Sequence, residues 1–243
     1  MKFEETTVFN FDGAIRGMRN PLESWNKSDS DFNGGLEFDE RGITKHYDFK
    51  IGKNDLELMQ KLVRAGSVHR KFMRQIFVSV DITAPLYWWK EFDTYKVGTV
   101  ANSTSTMHKL ASTPITKDCF EMDDFENMPP RMFKSKDEYG DIYEENNLCN
   151  FISLDLFWSE LIDVLEDYRV HYNETKDKRY WKELIRLLPE SWLQKRTVTM
   201  NYENILSMCS VDQRRNHKLT EWSSSFINWA KSLPYANELL FLK

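Results

Sequence analysis

The stretch YWWKEFDTYKVGTVANSTSTMHK, Tyr87 to Lys109, joins an aromatic pair to a dense polar run: Thr99, Asn102, Ser103, Thr104, Ser105 and Thr106, flanked by Lys96 and Lys109. Hydroxyl, amide and ammonium groups complement the oxygens of a phosphate. The same side chains also hydrogen-bond their own backbone and break helices. The run is therefore either a ligand-holding loop or a capped surface loop, and both readings stand at this point.

Two further basic groups could meet an anion. Arg214, Arg215, His217 and Lys218 (RRNHK) precede the last amphipathic segment, and His69, Arg70 and Arg74 fall between a helical and an extended pattern. A basic turn beside acidic neighbours is equally a solvated turn, and a histidine there can simply bond a backbone carbonyl.

Other chemistries lack a signature. None of the five histidines stands in HExxH spacing, and the chain holds no GxSxG, GxGxxG or GxxxxGK[ST]. The three cysteines, Cys119, Cys149 and Cys209, are odd in number, widely spaced and free of CxxC pairing. This points to a reduced, cytoplasmic protein without a disulfide framework or structural zinc.

The elements that must position these residues follow from periodicity. In NDLELMQKLVRAG the apolar residues Leu56, Met59, Leu62 and Val63 predict a helix over 54–66. QIFVSVDI alternates, with Ile76, Val78, Val80 and Ile82 on one face, and predicts a half-buried strand. Pro85 then opens a helix from Leu86 to about Tyr95, which runs into the polar loop.

Elsewhere, 6–11 and 36–52 predict strands, separated by a loop at NKSDSDFNGG (26–35). Segment 113–150 is acidic, carries Pro129-Pro130 and lacks a sustained period, which predicts an insertion or lid. Helical stripes follow at 151–168 and 178–188, short enough in their connection for antiparallel neighbours. A strand at 196–200 and helices at 202–209 and 217–233 complete the chain. The fold class is mixed α/β with a largely helical C-terminal half.

Composition bounds the function. A chain of 243 residues with 41% apolar residues can bury one ordinary core, and a single domain over 1–243 is expected. A net charge of −5 argues against general nucleic-acid binding. No apolar run approaches the roughly 18 residues that span a bilayer, and the acidic start MKFEETTVFNFDG does not resemble a signal peptide. Eight tryptophans suggest wide aromatic packing at a core, an interface or a planar ligand.

The run from Asn54 to Lys109 resembles the core of the flavin-dependent thymidylate synthases, in which a helix of the type LIxxLxxxGHxSxxEH leads to a strand, a Pro-initiated helix and the signature RHRxxSxNExSxRY. IRLLPESWLQKRTVTMNYENILSMCSVDQRRNHKLTEW resembles that family's C-terminal motif, with Leu188-Pro189, Thr199, Asn201 and Glu221 in register. Where the family has Arg-His-Arg the chain has Thr94, Tyr95 and Lys96, and where it has Ser-x-Arg-Tyr the chain has Ser105, Thr106, Met107 and His108. Ile185 takes the place of the arginine before Leu-Pro, with Arg186 one position along. Arg214 is the counterpart of a substrate-binding arginine near the last helix, although the gapless register gives Asp212.

The resemblance implies an α/β subunit of a homotetramer, with FAD and nucleotide in clefts shared between subunits. It implies that Tyr95, Lys96, Asn102 and Asn201 contact the flavin cofactor, and that Glu91, Ser105, Thr106, His108, Lys109, Arg186 and Arg214 contact a pyrimidine nucleotide. In the family, reduced FAD helps move a one-carbon unit from methylene-tetrahydrofolate to C5 of deoxyuridylate, and NADPH reduces the flavin. The cofactor carries the hard chemistry, so no cysteine nucleophile is required. Methyl and hydroxymethyl transfer are both expected chemistries. The alternative is a noncatalytic homo-oligomer of the same fold that binds a nucleotide or a partner protein.

Overall fold

Alternation dictates the central strand. In the computed structural model, which describes residues 1–39, 42–122 and 154–242 (with the side chains of 33–48 left aside), Phe77–Pro85 is a strand. Ile76, Val78, Val80, Ile82 and Ala84 are fully buried, as their spacing predicts. The chain divides into two compact units, the first comprising 1–83, 88–103 and 195–243 and the second 84–87 and 104–194.

The first unit is built on a sheet of four strands in the order β1-β4-β6-β5, where β1 is Lys2–Phe9, β4 is Phe77–Pro85, β5 is Val100–Ser103 and β6 is Leu193–Asn201. β1 runs antiparallel to β4, and β5 antiparallel to β6, with Asn102 opposite Thr197. A separate ribbon pairs β2, Asp31–Asp39, with β3, Gly42–Lys50. Around the sheet lie α1, Phe11–Arg19, and α2, Lys53–Arg64, as well as the start of the C-terminal helical run, α7, Tyr202–Met208.

Aromatic packing fills this unit. Trp88 and Trp89 of α3, Leu86–Phe92, are fully buried with Trp222 and Phe226. Trp88 stands 4.9 Å edge-on from Trp89 and 5.4 Å from Trp222. The aromatic content of the sequence is thus spent largely on a core.

A buried ion pair closes the other side of the unit. The Arg19 Nε donates to Asp55 Oδ1 at 2.6 Å, with the two residues 4% and 0% exposed. Asp55 Oδ2 accepts from the hydroxyls of Ser28 and Ser30 at 2.7 and 2.6 Å. These donors satisfy the carboxylate that burial would otherwise penalise.

The second unit centres on α5, Leu154–Thr175, and α6, Lys178–Leu187, which pack on one another. Its core is Leu110, Ile115, Phe120, Leu165 and Leu184, with Trp158 and Trp192 half-buried against it. Glu166 braces α5 by accepting from Arg169 and from the Ile115 backbone N–H at 2.8 Å. No helix among the described residues is long and apolar enough to cross a membrane.

Several expected boundaries move. The strand expected over 6–11 ends at Phe9, because α1 begins at Phe11, whose Phe11, Ala14, Ile15 and Met18 form an apolar stripe at helical spacing. The loop expected at 26–35 enters β2 at Asp31, where the pairing with β3 is a backbone ladder. The last helix, expected over 217–233, is a π-helical turn, Glu221–Phe226, followed by a short α-helix, Ile227–Lys231. Three consecutive serines fall in that turn, and Ser223 Oγ donates back to the Leu219 carbonyl at 3.3 Å. The expected insertion or lid lies mostly at 123–150, outside the described residues.

Candidate functional site

Within the first unit, the end of β6, the start of α7 and the loop after α3 surround a cleft of about 370 Å³ lined by Arg74, Gly98, Asn201, Glu203, Asn204 and Ser207. Asn201 caps α7: its Oδ1 accepts from the Asn204 N–H at 3.0 Å, and the Asn201 N–H donates to Asn204 Oδ1 at 3.1 Å. Such a reciprocal cap fixes both side chains. The Asn204 Nδ2 is in turn bound to the Val97 carbonyl, which ties the loop to α7.

The other half of the Asn201 side chain is left over. The residue is only 7% exposed, and its Nδ2 has no partner among the described residues. Gly98 makes the room beside it, with φ at +83° and a would-be Cβ 2.9 Å from that nitrogen. A side chain at position 98 would fill this space, and most L-residues avoid that backbone geometry.

The charges of the cleft are unevenly matched. Glu203 accepts from Arg70 Nε through both oxygens, at 3.0 and 2.8 Å. Arg74 is exposed and has no partner among the described residues.

The loop itself is anchored to an aromatic and polar cluster. The Tyr95 ring lies 5.5 Å from Trp222, and its hydroxyl accepts from Gln213 Nε2 at 2.6 Å. Burial pushes the Tyr95 hydroxyl above its ordinary pKa, and the neighbouring Glu91 carboxylate adds to this. His217 stacks on the same Trp222 at 5.2 Å, with its Nε2 3.6 Å from Glu91. Cys209, near this cluster in sequence, is buried, and its thiol is pushed up to about 12 by that burial, so it holds no thiolate at neutral pH.

The expected site residues divide between the two units. Tyr95, Lys96, Asn102, Asn201, Glu91 and Arg214 belong to the first, and Ser105, Thr106, His108, Lys109 and Arg186 to the second. Asn201 lines the cleft and Lys96 precedes its Val97–Gly98 edge, exposed and without a partner among the described residues. Asn102 is exposed on β5, and the Arg214 guanidinium lies 5.3 Å from the Phe241 ring.

Part of the polar run is occupied with local structure. Thr99 Oγ1 donates to the Tyr95 carbonyl at 2.8 Å, and Ser105 Oγ accepts from the His108 N–H at 3.2 Å as the cap of α4, Thr106–Lys109. Arg186 pairs with Glu183 one turn earlier on α6. Sequence reasoning missed Gly98, Glu203, Asn204 and Ser207 as cleft residues. The available signal was the Asn201–Asn204 spacing, which matches a reciprocal cap and places both amides on one helix end.

Neither a protein-family model nor a curated protein sequence matches the chain. Solved structures do. The flavin-dependent thymidylate synthase ThyX from Helicobacter pylori, complexed with FAD and dUMP, superposes with a TM-score of 0.61 over 99% of this chain and 98% of that one, at 14% identity. The chain has the ThyX fold. The UMP/dUMP methylase PolB from Streptomyces cacaoi, bound with 5-Br dUMP, superposes with a TM-score of 0.55 over 98% of this chain and 95% of that one, at 15% identity. The ThyX fold therefore spans the mixed sheet and the helical C-terminal half alike.

Proposed function

We propose that this chain is a diverged flavin-dependent enzyme of the thymidylate-synthase type that transfers a one-carbon unit, as methyl or hydroxymethyl, to a dUMP-like pyrimidine nucleotide. The observation that carries the reading is the cleft at Asn201: a side-chain NH₂ without a partner among the described residues, on a cleft wall where Gly98 adds no side chain, in a chain of the ThyX fold. The structures it resembles were solved with FAD and dUMP or with 5-Br dUMP.

The residues present fit a flavin nucleotide. Asn201 Nδ2 would donate to a ring or chain oxygen, the Gly98 backbone would let the ligand approach closely, and Lys96 would face its anionic part. Bound FAD would supply the two electrons that reduce the transferred methylene to methyl, with NADPH and methylene-tetrahydrofolate as co-substrates, whereas transfer as hydroxymethyl takes up water and needs no net reduction. The chain's own contribution is to bind, orient and screen: the Tyr95–Gln213 and Asn204–Val97 contacts hold the loop in one conformation. Glu91, Ser105, Thr106, His108, Lys109, Arg186 and Arg214 are proposed for the nucleotide, Tyr95 and Asn102 for the cofactor, and the whole of 1–243 for one domain of a homotetramer.

A second reading is favoured by the missing charges. Thr94 and Met107 stand where the resemblance expects arginines, and an anion deprived of one loses a charge-assisted bond worth about 1.5–3 kcal/mol. A noncatalytic homo-oligomer that binds a nucleotide is consistent with that loss. Incubating the protein with FAD, NADPH, methylene-tetrahydrofolate and dUMP or UMP separates the two. A nucleotide heavier by a methyl or hydroxymethyl group supports the enzyme, and flavin binding without any such product supports the noncatalytic reading.

A further inference from the structure

We propose that Arg74 is the phosphate-binding cation of the Asn201 cleft, supplying from the turn before β4 the charge that the loop after α3 lacks. This rests on the reading of the cleft as a flavin or nucleotide site.

Three features converge on an anion. The carboxylate that lines the cleft, Glu203, is already held by both oxygens in the grip of Arg70. Arg74, four residues on, lies in the turn Lys71–Gln75 with five N–H donors and no partner among the described residues. Asn201 offers a further NH₂ on the cleft wall, likewise without a partner among the described residues. Unpaired donors on a cleft wall are free to bond a ligand that enters it.

The neighbouring amides are held in place by their own bonds. Asn201 Oδ1 and Asn204 Oδ1 both accept backbone N–H groups, and Asn204 Nδ2 donates to Val97. The side-chain donors left for a ligand are a guanidinium and an amide NH₂, beside Gly98. That pair suits a planar-forked hold on phosphate oxygens. The volume of about 370 Å³ is enough for a phosphate and part of its nucleoside.

The test titrates the full-length chain and Arg74→Gln with FAD, riboflavin, dUMP and inorganic pyrophosphate. Arg74 is exposed, so the variant keeps the wild-type circular dichroism. The expected result is a loss of about ten- to a hundredfold in affinity for FAD or dUMP, with riboflavin unaffected and pyrophosphate no longer competing. Arg74→Lys should recover part of the loss. Whichever of FAD and dUMP is weakened identifies the source of the phosphate. Unchanged affinities in Arg74→Gln overturn the role of Arg74 while leaving the flavin reading intact, and a wild-type chain that binds none of the phosphate ligands overturns the role as well. Pyrophosphate binding that depends on Arg74 without any flavin or dUMP binding keeps the role and removes the flavin reading.

Discussion

The backbone of Gly98 lies against the side-chain amide of Asn201 so closely that a Cβ at position 98 would stand 2.9 Å from Nδ2. The two residues come from elements far apart in sequence, the loop after α3 and the cap of α7, and the cleft that both line is the ligand space of the account.

Gly98→Ala is therefore expected to do two things. It strains a backbone held at φ +83°, at about 1–2 kcal/mol, and it occupies the space beside Nδ2. Urea denaturation should show the modest loss of stability, and equilibrium dialysis with FAD should show the larger loss of binding. A variant that binds FAD like the wild type would place the site elsewhere.

Lys96→Ala tests the anion-facing end of the loop. The side chain is exposed and has no partner among the described residues, so the melting temperature should hold while calorimetric nucleotide binding weakens. Unaltered binding would exclude Lys96 from the site.

Asp55 governs stability in acid. Burial alone would raise its pKa, but the hydroxyls of Ser30 and Ser28 and the Arg19 guanidinium together hold the carboxyl below its ordinary value. A lowered folded-state pKa gives stability that is present above the unfolded value of about 3.9 and lost as pH falls through the folded one. Asp55→Ala should cost about 3–5 kcal/mol at neutral pH, since it strands the buried Arg19, and the gap to wild type should narrow in acid. A gap that stays constant from neutral pH down to acid would contradict this.

Two core tryptophans should respond differently to loss of the indole N–H. Trp222 Nε1 donates to the Met208 carbonyl at 3.1 Å, whereas Trp88 Nε1 is buried without a partner among the described residues. Trp222→Phe leaves that carbonyl unsatisfied and Trp88→Phe removes an orphan donor, so thermal unfolding should show the larger loss for Trp222→Phe. The reverse order would mean that the Trp88 N–H has a partner.

These contrasts show what a sequence can and cannot display. The helix α2 and strand β4 were legible because their periods, 3.6 and 2, are imposed by burial on one face. The helix α1 was not, since Gly13 and Gly17 dilute its propensity. At Gly17 the reason is a tertiary approach, with a would-be Cβ 2.5 Å from Gln75 Oε1. β2 was illegible because a two-stranded ribbon is held by its backbone ladder, which polar residues serve as well as apolar ones.

Of the candidate cleft, the family resemblance pointed to Asn201 and to the loop after α3, both of which line it. The pairing state of the charges was not: that Arg70 is engaged by Glu203 while Arg74 has no partner among the described residues depends on which side chains the fold brings within reach. Nor could spacing tell that Thr99 and Ser105 serve the backbone, because a hydroxyl that caps and one that binds phosphate look alike in sequence.

The most direct test of the central claim is the absorption spectrum of the purified full-length protein, with identification of any small molecule released on denaturation and a titration with added FAD. The account predicts the bands of oxidised flavin, or their perturbation on adding FAD, with release of FAD on unfolding. A colourless protein that leaves the spectrum of added FAD unchanged would contradict it.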